Sequence, residues 1–333
     1  METKETLVEI GTDGRPLVRS TSGLADRLSQ DADKLLVPAL FIILVVVLSV
    51  LNEHFLTIGN VINVLQQLSI LGIVSVGMTF VVIAGGFDLS VGSVVALSGS
   101  LAALVMMNYG ILTGVAAGLC AGLLVGLVNG TMVSKLNVSP FIATLGTLVI
   151  ARGLALGITG GSAVFDLPSG FAFVGTGHLL GIPIPVIVAF VIFVIGLVVL
   201  HTTAFGLKIY AVGGNREASR LSGIKVDRII LATYVICGLT ASIAGVVLSA
   251  RLRAGEPTVG MLMELFSIAA VVLGGTSLQG GEGALARTII GVLFIGFLEN
   301  GLNLLNVPYY WQQVIIGTVF VVAAAIGMWR RRR

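Results

Sequence analysis

Ten apolar stretches follow one another along the chain, at 35–51, 61–84, 92–107, 111–129, 140–159, 184–201, 229–249, 265–276, 284–304 and 311–329. A helix that crosses the hydrocarbon core of a bilayer needs about 20 mostly apolar residues. Most of the stretches come near that length. The 265–276 stretch is short, and the preceding Met261-Leu262-Met263 is expected to extend it. Only 11% of the 333 residues are charged, against roughly 25% in an average soluble domain, so a soluble fold is excluded. The 44 glycines suit close helix–helix approach in lipid. The expected fold is an all-α polytopic membrane protein of about ten transmembrane helices.

Lys and Arg orient it, because they concentrate in cytoplasmic loops. With the N-terminus inside, 16 of the 19 basic residues fall on the inner side. Arg152 falls within a span, and only Arg251 and Arg253 fall outside. Both termini are thus expected in the cytoplasm. Residues 1–34 hold seven acids and five bases and lack a cleavage site, so they read as a cytoplasmic tail rather than a signal peptide. Residues 35–329 read as one transmembrane domain with a long inner connection, 202–228. Arg330 to Arg333 form a basic cytoplasmic end. The basic residues flank apolar segments instead of forming a soluble basic face, so no nucleic-acid partner is expected; the partner surface is lipid. Cys120 and Cys237 lie inside apolar stretches without metal-ligand spacing, so neither a disulfide nor a metal site is expected.

Three constellations stand out. In the 202–228 connection, Gly213-Gly214 is expected to break the chain, with Asn215 as N-cap and Glu217 in the first turn of a short helix over 216–222. Gly223 closes that helix. Ala218 and Leu221 give it an apolar face, and Arg216 and Arg220 a basic one. Two Gly-rich turns form the second group. Val82 to Gly92, containing Gly85, Gly86, Asp88 and Ser90, aligns with Val271 to Gly281, containing Gly274 and Gly275, which reads as an internal repeat. Ser90 is expected at a helix cap with Asp88 near the positive end of the helix dipole. The third group is the ionisable and amide residues inside spans: Arg152, Glu264, Glu299, Asn300 and Asn303. Such residues mark pathways, or interhelical hydrogen bonds. Asn300 and Asn303 share a helix face with Glu299 beside them, a strip suited to a polyhydroxylated solute.

Absent motifs narrow the chemistry. No lysine precedes Ser or Thr, so there is no GxxxxGK[ST] phosphate loop. HExxH and GxSxG are also missing, and His54, His178 and His201 are scattered. The chain is not expected to be an enzyme or to bind a cofactor. An integral membrane enzyme would need a catalytic cluster at one membrane face. A stand-alone secondary transporter or facilitator would need a coupling acid in a span, for which Glu299 is the obvious residue.

Taken together, Gly85 to Ser93, Ala211 to Ile224, Val272 to Leu278 and Asn300 to Leu304 resemble the membrane permeases of bacterial ribose-, xylose-, arabinose- and galactose-type sugar ABC importers, a group that includes autoinducer-2 permeases. Phe87 stands where that family often has Ile. The resemblance implies a type II importer-like permease in the bacterial inner membrane. It implies a second permease copy, as a homo- or heterodimer, and a periplasmic solute-binding protein at the outer face. It also implies a cytoplasmic ATPase that uses ATP and Mg and docks on the segment from Gly213 to Gly223. On that reading the helix from Arg216 to Leu221 is a coupling helix, and the Gly-rich turns with Asp88 and Glu299 are gate or pathway elements.

Overall fold

The computed structural model describes residues 37–322 and 325 with their side chains, and the backbone course also through 8–10, 16–18, 23–36 and on to Arg331. The expectations for the 1–34 tail and the 330–333 basic end lie outside the residues described with side chains. A strand pair, β1 (Val8–Ile10) and β2 (Pro16–Val18), precedes α1 (Gly23–Leu51). Then come α2 (Ile58–Ile83), α3 (Val91–Tyr109), α4 (Ile111–Ser134) and α5 (Pro140–Thr159). A connection holds α6 (Ser169–Thr176) and the hairpin of β3 (His178–Leu179) with β4 (Ile182–Pro183). The chain continues through α7 (Ile184–Thr202), α8 (Ala204–Gly214), α9 (Arg216–Leu221) and α10 (Val226–Leu252). It ends in α11 (Met263–Leu273), α12 (Leu285–Leu304) and α13 (Tyr309–Arg331).

Among the described residues, seven of these helices are long and apolar enough to cross a membrane: α2, α3, α4, α5, α7, α10 and α12. Shorter apolar helical stretches occupy Val37–Leu51, Met263–Leu273 and Tyr309–Val322. Each of the ten apolar stretches of the sequence therefore carries a helix.

Two helix groups share α2. In one, α10 packs against α2, α3 and α4, with Ile73, Phe80, Val94, Tyr234 and Val247 in the core. In the other, α1, α2, α11 and α12 enclose Leu48, Phe55, Leu68, Ala270, Ile295 and Phe297. By contrast, α5 and α7 turn large apolar side chains outward, among them Ile142, Val149, Phe190 and Val198. The α7 segment has a mean hydropathy of 2.9 and is little covered by protein. A helix apolar all round and left uncovered is matched by lipid tails.

Small residues set how closely the first group packs. Gly114, Gly118, Gly122, Gly126 and Gly130 recur every fourth residue, on one face of α4. A Cβ at Gly118 would lie 2.7 Å from the Ser98 carbonyl oxygen of α3, and one at Gly126 would lie 2.5 Å from the Tyr234 carbonyl oxygen of α10. The stripe lets three backbones approach where no larger residue fits, the means by which helices associate without a hydrophobic driving force in lipid.

Two expectations are corrected here. Met261 and Leu262 do not lengthen the eighth apolar stretch. Leu262 has φ 63° and ψ 2°, outside the right-handed helix, so α11 starts at Met263. Its 11 residues rise only about 16 Å; the hydrocarbon core is about 30 Å thick. Nor does Gly213-Gly214 break the chain. Both lie in the last turn of α8, and the break falls at Asn215, with φ −158° and ψ 105°. The reason for Gly213 is proximity: it packs directly on the Ile83 carbonyl of α2.

Candidate functional site

The exposed knob expected in the 202–228 connection is present. The Asn215 side chain accepts from the Ala218 amide at 2.9 Å, which caps α9. At the other end, the Gly223 amide donates to Arg220 O and the Ile224 amide to Ser219 O, each at 3.0 Å. This paired C-terminal closure leaves few loose carbonyls. The expected apolar face lies on the outside of the knob. Ser219 turns inward, while Ala218 and Leu221 face out, Leu221 being 82% exposed. The basic face is divided: Arg220 lies 3.5 Å from Glu217 and 3.7 Å from Asp227. Arg216 instead donates to the Gly85 carbonyl at 3.3 Å.

That last bond leads to the principal feature of this end of the molecule. The two Gly-rich turns, almost 200 residues apart in sequence, meet each other and the end of α8. The Gly281 amide donates to Ile83 O at 2.8 Å, and the Tyr210 hydroxyl donates to Gly283 O at 3.0 Å. A Cβ at Gly280 would lie 2.7 Å from the Gly85 Cα, and one at Gly281 would lie 2.6 Å from the Gly214 Cα. Three chain segments thus pack backbone on backbone.

The turns themselves are alike in geometry. The Gly85 amide bonds Val82 O and the Gly86 amide bonds Val81 O; the Gly275 amide bonds Val272 O and the Thr276 amide bonds Val271 O. Gly85 and Gly275, with φ 80° and 78°, occupy the left-handed position where glycine is at no steric disadvantage. The repeat expected from sequence is therefore real in form but off by one residue. Gly85 matches Gly275 rather than Gly274, which caps α11 and lies against the backbone of Arg287.

Asp88 is 1% exposed. Its Oδ1 accepts from the Ser90 amide at 2.9 Å and the Ser90 hydroxyl at 2.6 Å. Asn129 Nδ2 donates to Ser90 Oγ at 2.9 Å, and Thr147 donates to Asn129 Oδ1 at 2.8 Å. Tyr234 adds a bond to Phe87 O at 3.1 Å. Together these bonds join the turn to α4, α5 and α10. Burial pushes its carboxyl up from the ordinary value, opposed first by the Ser90 bonds and then by Asn129. The expected Ser90 side-chain cap on α3 is absent. Ser90 sits at φ −79° and ψ −12°, not the extended geometry a cap needs, and its hydroxyl is taken by the stronger, charged acceptor.

Arg152 also serves the fold. Its Nη1 donates to Pro257 O at 2.6 Å and Val259 O at 2.8 Å, holding the segment before α11, with Glu264 as its charged neighbour.

Glu299, Asn300 and Asn303 are brought together on the wall of a cavity of about 340 Å³ between α2, α12 and the chain from Arg251 to Phe266. The asparagines are partly spent elsewhere. Asn300 and Asn60 exchange two amide bonds of 2.8 and 3.0 Å, and Asn303 accepts from Gln312 at 2.8 Å. The cavity does not adjoin the coupling knob or the glycine contact, so the structure separates the residues proposed from sequence into two places. Sequence reasoning missed Arg251 and Gln67 on the cavity wall, as well as Tyr210, Gly280 and Gly281 at the glycine contact. Arg251 was assigned to an outer loop because its run of apolar neighbours ends at 249; the unbroken helical pattern through Leu252 was the available signal.

The chain was compared with known proteins. It is 47% identical over 287 residues to the ribose import permease protein RbsC of Bacillus subtilis (strain 168), covering 85% of this chain and 89% of that one. It is 44% identical over 293 residues to RbsC of Escherichia coli (strain K12), covering 86% and 90%. To the D-allose transport system permease protein AlsC of the same organism it is 37% identical over 300 residues, again covering 86% and 90%. No solved structure matches. Residues 60–324 match the model of the branched-chain amino acid transport system / permease component family. The two glycine turns and the capped helix thus belong to a transport protein, and the chain is a member of that family of permease components.

Proposed function

We propose that this chain is the transmembrane permease subunit of an ATP-binding cassette importer that carries a sugar or sugar-like solute inward. The solute class follows the sugars named in its relatives. The seven long and three shorter apolar helices act as ten crossings, with α11 a broken one and both termini in the cytoplasm of a bacterial inner membrane. The permease works as a dimer with a second copy or a sister permease. A periplasmic binding protein delivers the solute to the outer face. A cytoplasmic ATPase, which uses ATP and Mg, docks on the segment from Gly213 to Gly223. This chain supplies the pathway and the transmission, not the hydrolysis.

One observation carries the reading: the exposed helix α9 is attached at its root to both Gly-rich turns. Arg216 bonds the Gly85 carbonyl, and Gly213 and Gly214 pack on Ile83, Gly280 and Gly281. A push on α9 therefore reaches the end of α2 and the turn after α11 through the backbone contacts of Gly213 and Gly214 as well as through Arg216. Closure of two ATPase subunits moves α9, the glycine contact transfers the displacement, and the helices beyond it change the access of the pathway. Asp88 and its partners hold the α2–α3 turn as one piece during that motion.

The test is co-purification. From gently solubilised membranes, a stoichiometric ATPase is expected with the tagged chain. Leu221→Asp places a charge on the exposed face of α9 and should reduce recovered ATPase at least tenfold. Surface changes that break no internal contact alter stability by about 0.5 kcal/mol or less, so the permease itself should remain folded. Unchanged recovery of ATPase with that variant overturns the docking assignment.

A further inference from the structure

We infer that the cavity between α2 and α12 is a sugar station, and that Arg251 and Glu299 are the groups that read the solute's hydroxyls there. This inference rests on the sugar-importer reading and deepens it. Among the described residues, neither Arg251 nor Glu299 makes a hydrogen bond or an ion pair, with one another or with any other side chain. Both are half-buried on the wall of the same cavity. An unpartnered charge in a membrane protein is costly and normally finds a counter-group. Two opposite charges that share a cavity without meeting leave room for a partner between them.

The chemistry of that partner is constrained from both sides. A guanidinium only donates and a carboxylate only accepts. Adjacent hydroxyls can do both, so a diol accepts from Arg251 and donates to Glu299. The pair is neutral overall, which suits an uncharged solute. Gln67 adds an amide with no side-chain hydrogen bond among the described residues, and the free valences of Asn300 and Asn303 widen the polar wall. Met263 and Phe266 add apolar side chains to the lining, which suits the C–H face of a sugar ring. The volume, about 340 Å³, lies at the small end of ligand pockets, roughly 300–1,000 Å³. The hydroxyl-reading role passes from the asparagine strip to the charged pair, because Asn300 and Asn303 already hold helices together.

The test uses the whole importer in proteoliposomes, with radiolabelled D-ribose, D-allose, L-arabinose and L-leucine as probes. Uptake is expressed per assembled complex, measured by co-purification of permease, ATPase and binding protein. At least one sugar is expected to enter with the unaltered complex. Glu299→Gln and Arg251→Gln should each lower its uptake at least tenfold. Glu299→Asp and Arg251→Lys, which keep the charges, carry the test should a neutral variant fail to assemble, and a loss of threefold or more is expected of them. Sugar uptake within twofold of the unaltered complex in every assembled variant overturns the station while leaving the sugar importer intact. Recovery of uptake in the exchange R251E/E299R also overturns it, since the two groups would then serve each other. Entry of L-leucine and of none of the sugars overturns the sugar reading and the station with it.

Discussion

Gly213 and Gly214 are neighbours in the last turn of α8, yet adding one carbon to each should have opposite effects. An alanine Cβ at 213 would press on the Ile83 carbonyl oxygen and lie 2.5 Å from the Gly281 nitrogen. It would intrude on the 2.8 Å bond between those two groups. Overpacking of this kind costs about 1–3 kcal/mol, and losing the bond costs about 1 kcal/mol more. Alanine regains about 1 kcal/mol of helix propensity over glycine, so the net cost at 213 is about 1–3 kcal/mol. At 214 an added Cβ meets nothing within 4 Å, and only the propensity gain of about 1 kcal/mol remains. The two variants should therefore differ by about 2–4 kcal/mol. Thermal unfolding of the purified permease reads the stability, and sugar uptake by the reassembled importer reads the function. Gly213→Ala should unfold at a lower temperature and lose uptake while still co-purifying the ATPase, because α9 lies beyond the altered contact. Gly214→Ala should match or slightly exceed the unaltered protein. Equal unfolding temperatures and equal uptake in the two variants would refute the backbone-on-backbone route.

Other outcomes follow from single contacts. Asn215→Ala removes the α9 cap and should cost about 1 kcal/mol locally, seen as faster amide exchange at Ala218 and weaker ATPase recovery. Asn300→Leu breaks the reciprocal amide pair with Asn60; interhelical bonds of this kind are worth about 0.6–1.7 kcal/mol, which thermal unfolding of the variant should register. Asp88→Ala leaves the Ser90 amide and hydroxyl without their acceptor and should destabilise by about 1–3 kcal/mol. Since burial raises the Asp88 carboxyl above its ordinary value, the folded state binds the more protons in the window between the two values. The contribution of Asp88 to stability should therefore fall as pH rises through that window. A pH series of unfolding midpoints that is unchanged by Asp88→Ala would contradict this.

The sequence by itself determined the elements and the chemistry of the chain. Apolar stretches placed a helix in every one of ten positions, seven of them long enough among the described residues to cross a bilayer, because the bilayer sets both length and composition. The Asn215 cap and the Gly223 closure were legible because a helix end is built from residues a few positions apart. What depends on partners far away in sequence was not legible. The reason for Gly213 lies at Ile83 and Gly281. The start of α11 at Met263 comes from the backbone of Leu262. The offset between the two turns shows only in their hydrogen bonds. The same division runs through the polar residues. Sequence could mark Arg152, Glu299, Asn300 and Asn303 as unusual inside apolar stretches, but not which of them had found a partner. Tertiary structure decided that, giving Arg152 two carbonyls and Asn300 an amide while leaving Arg251 and Glu299 facing a cavity. In lipid a polar group is as costly as its surroundings leave it unsatisfied, and only the packed helices fix those surroundings.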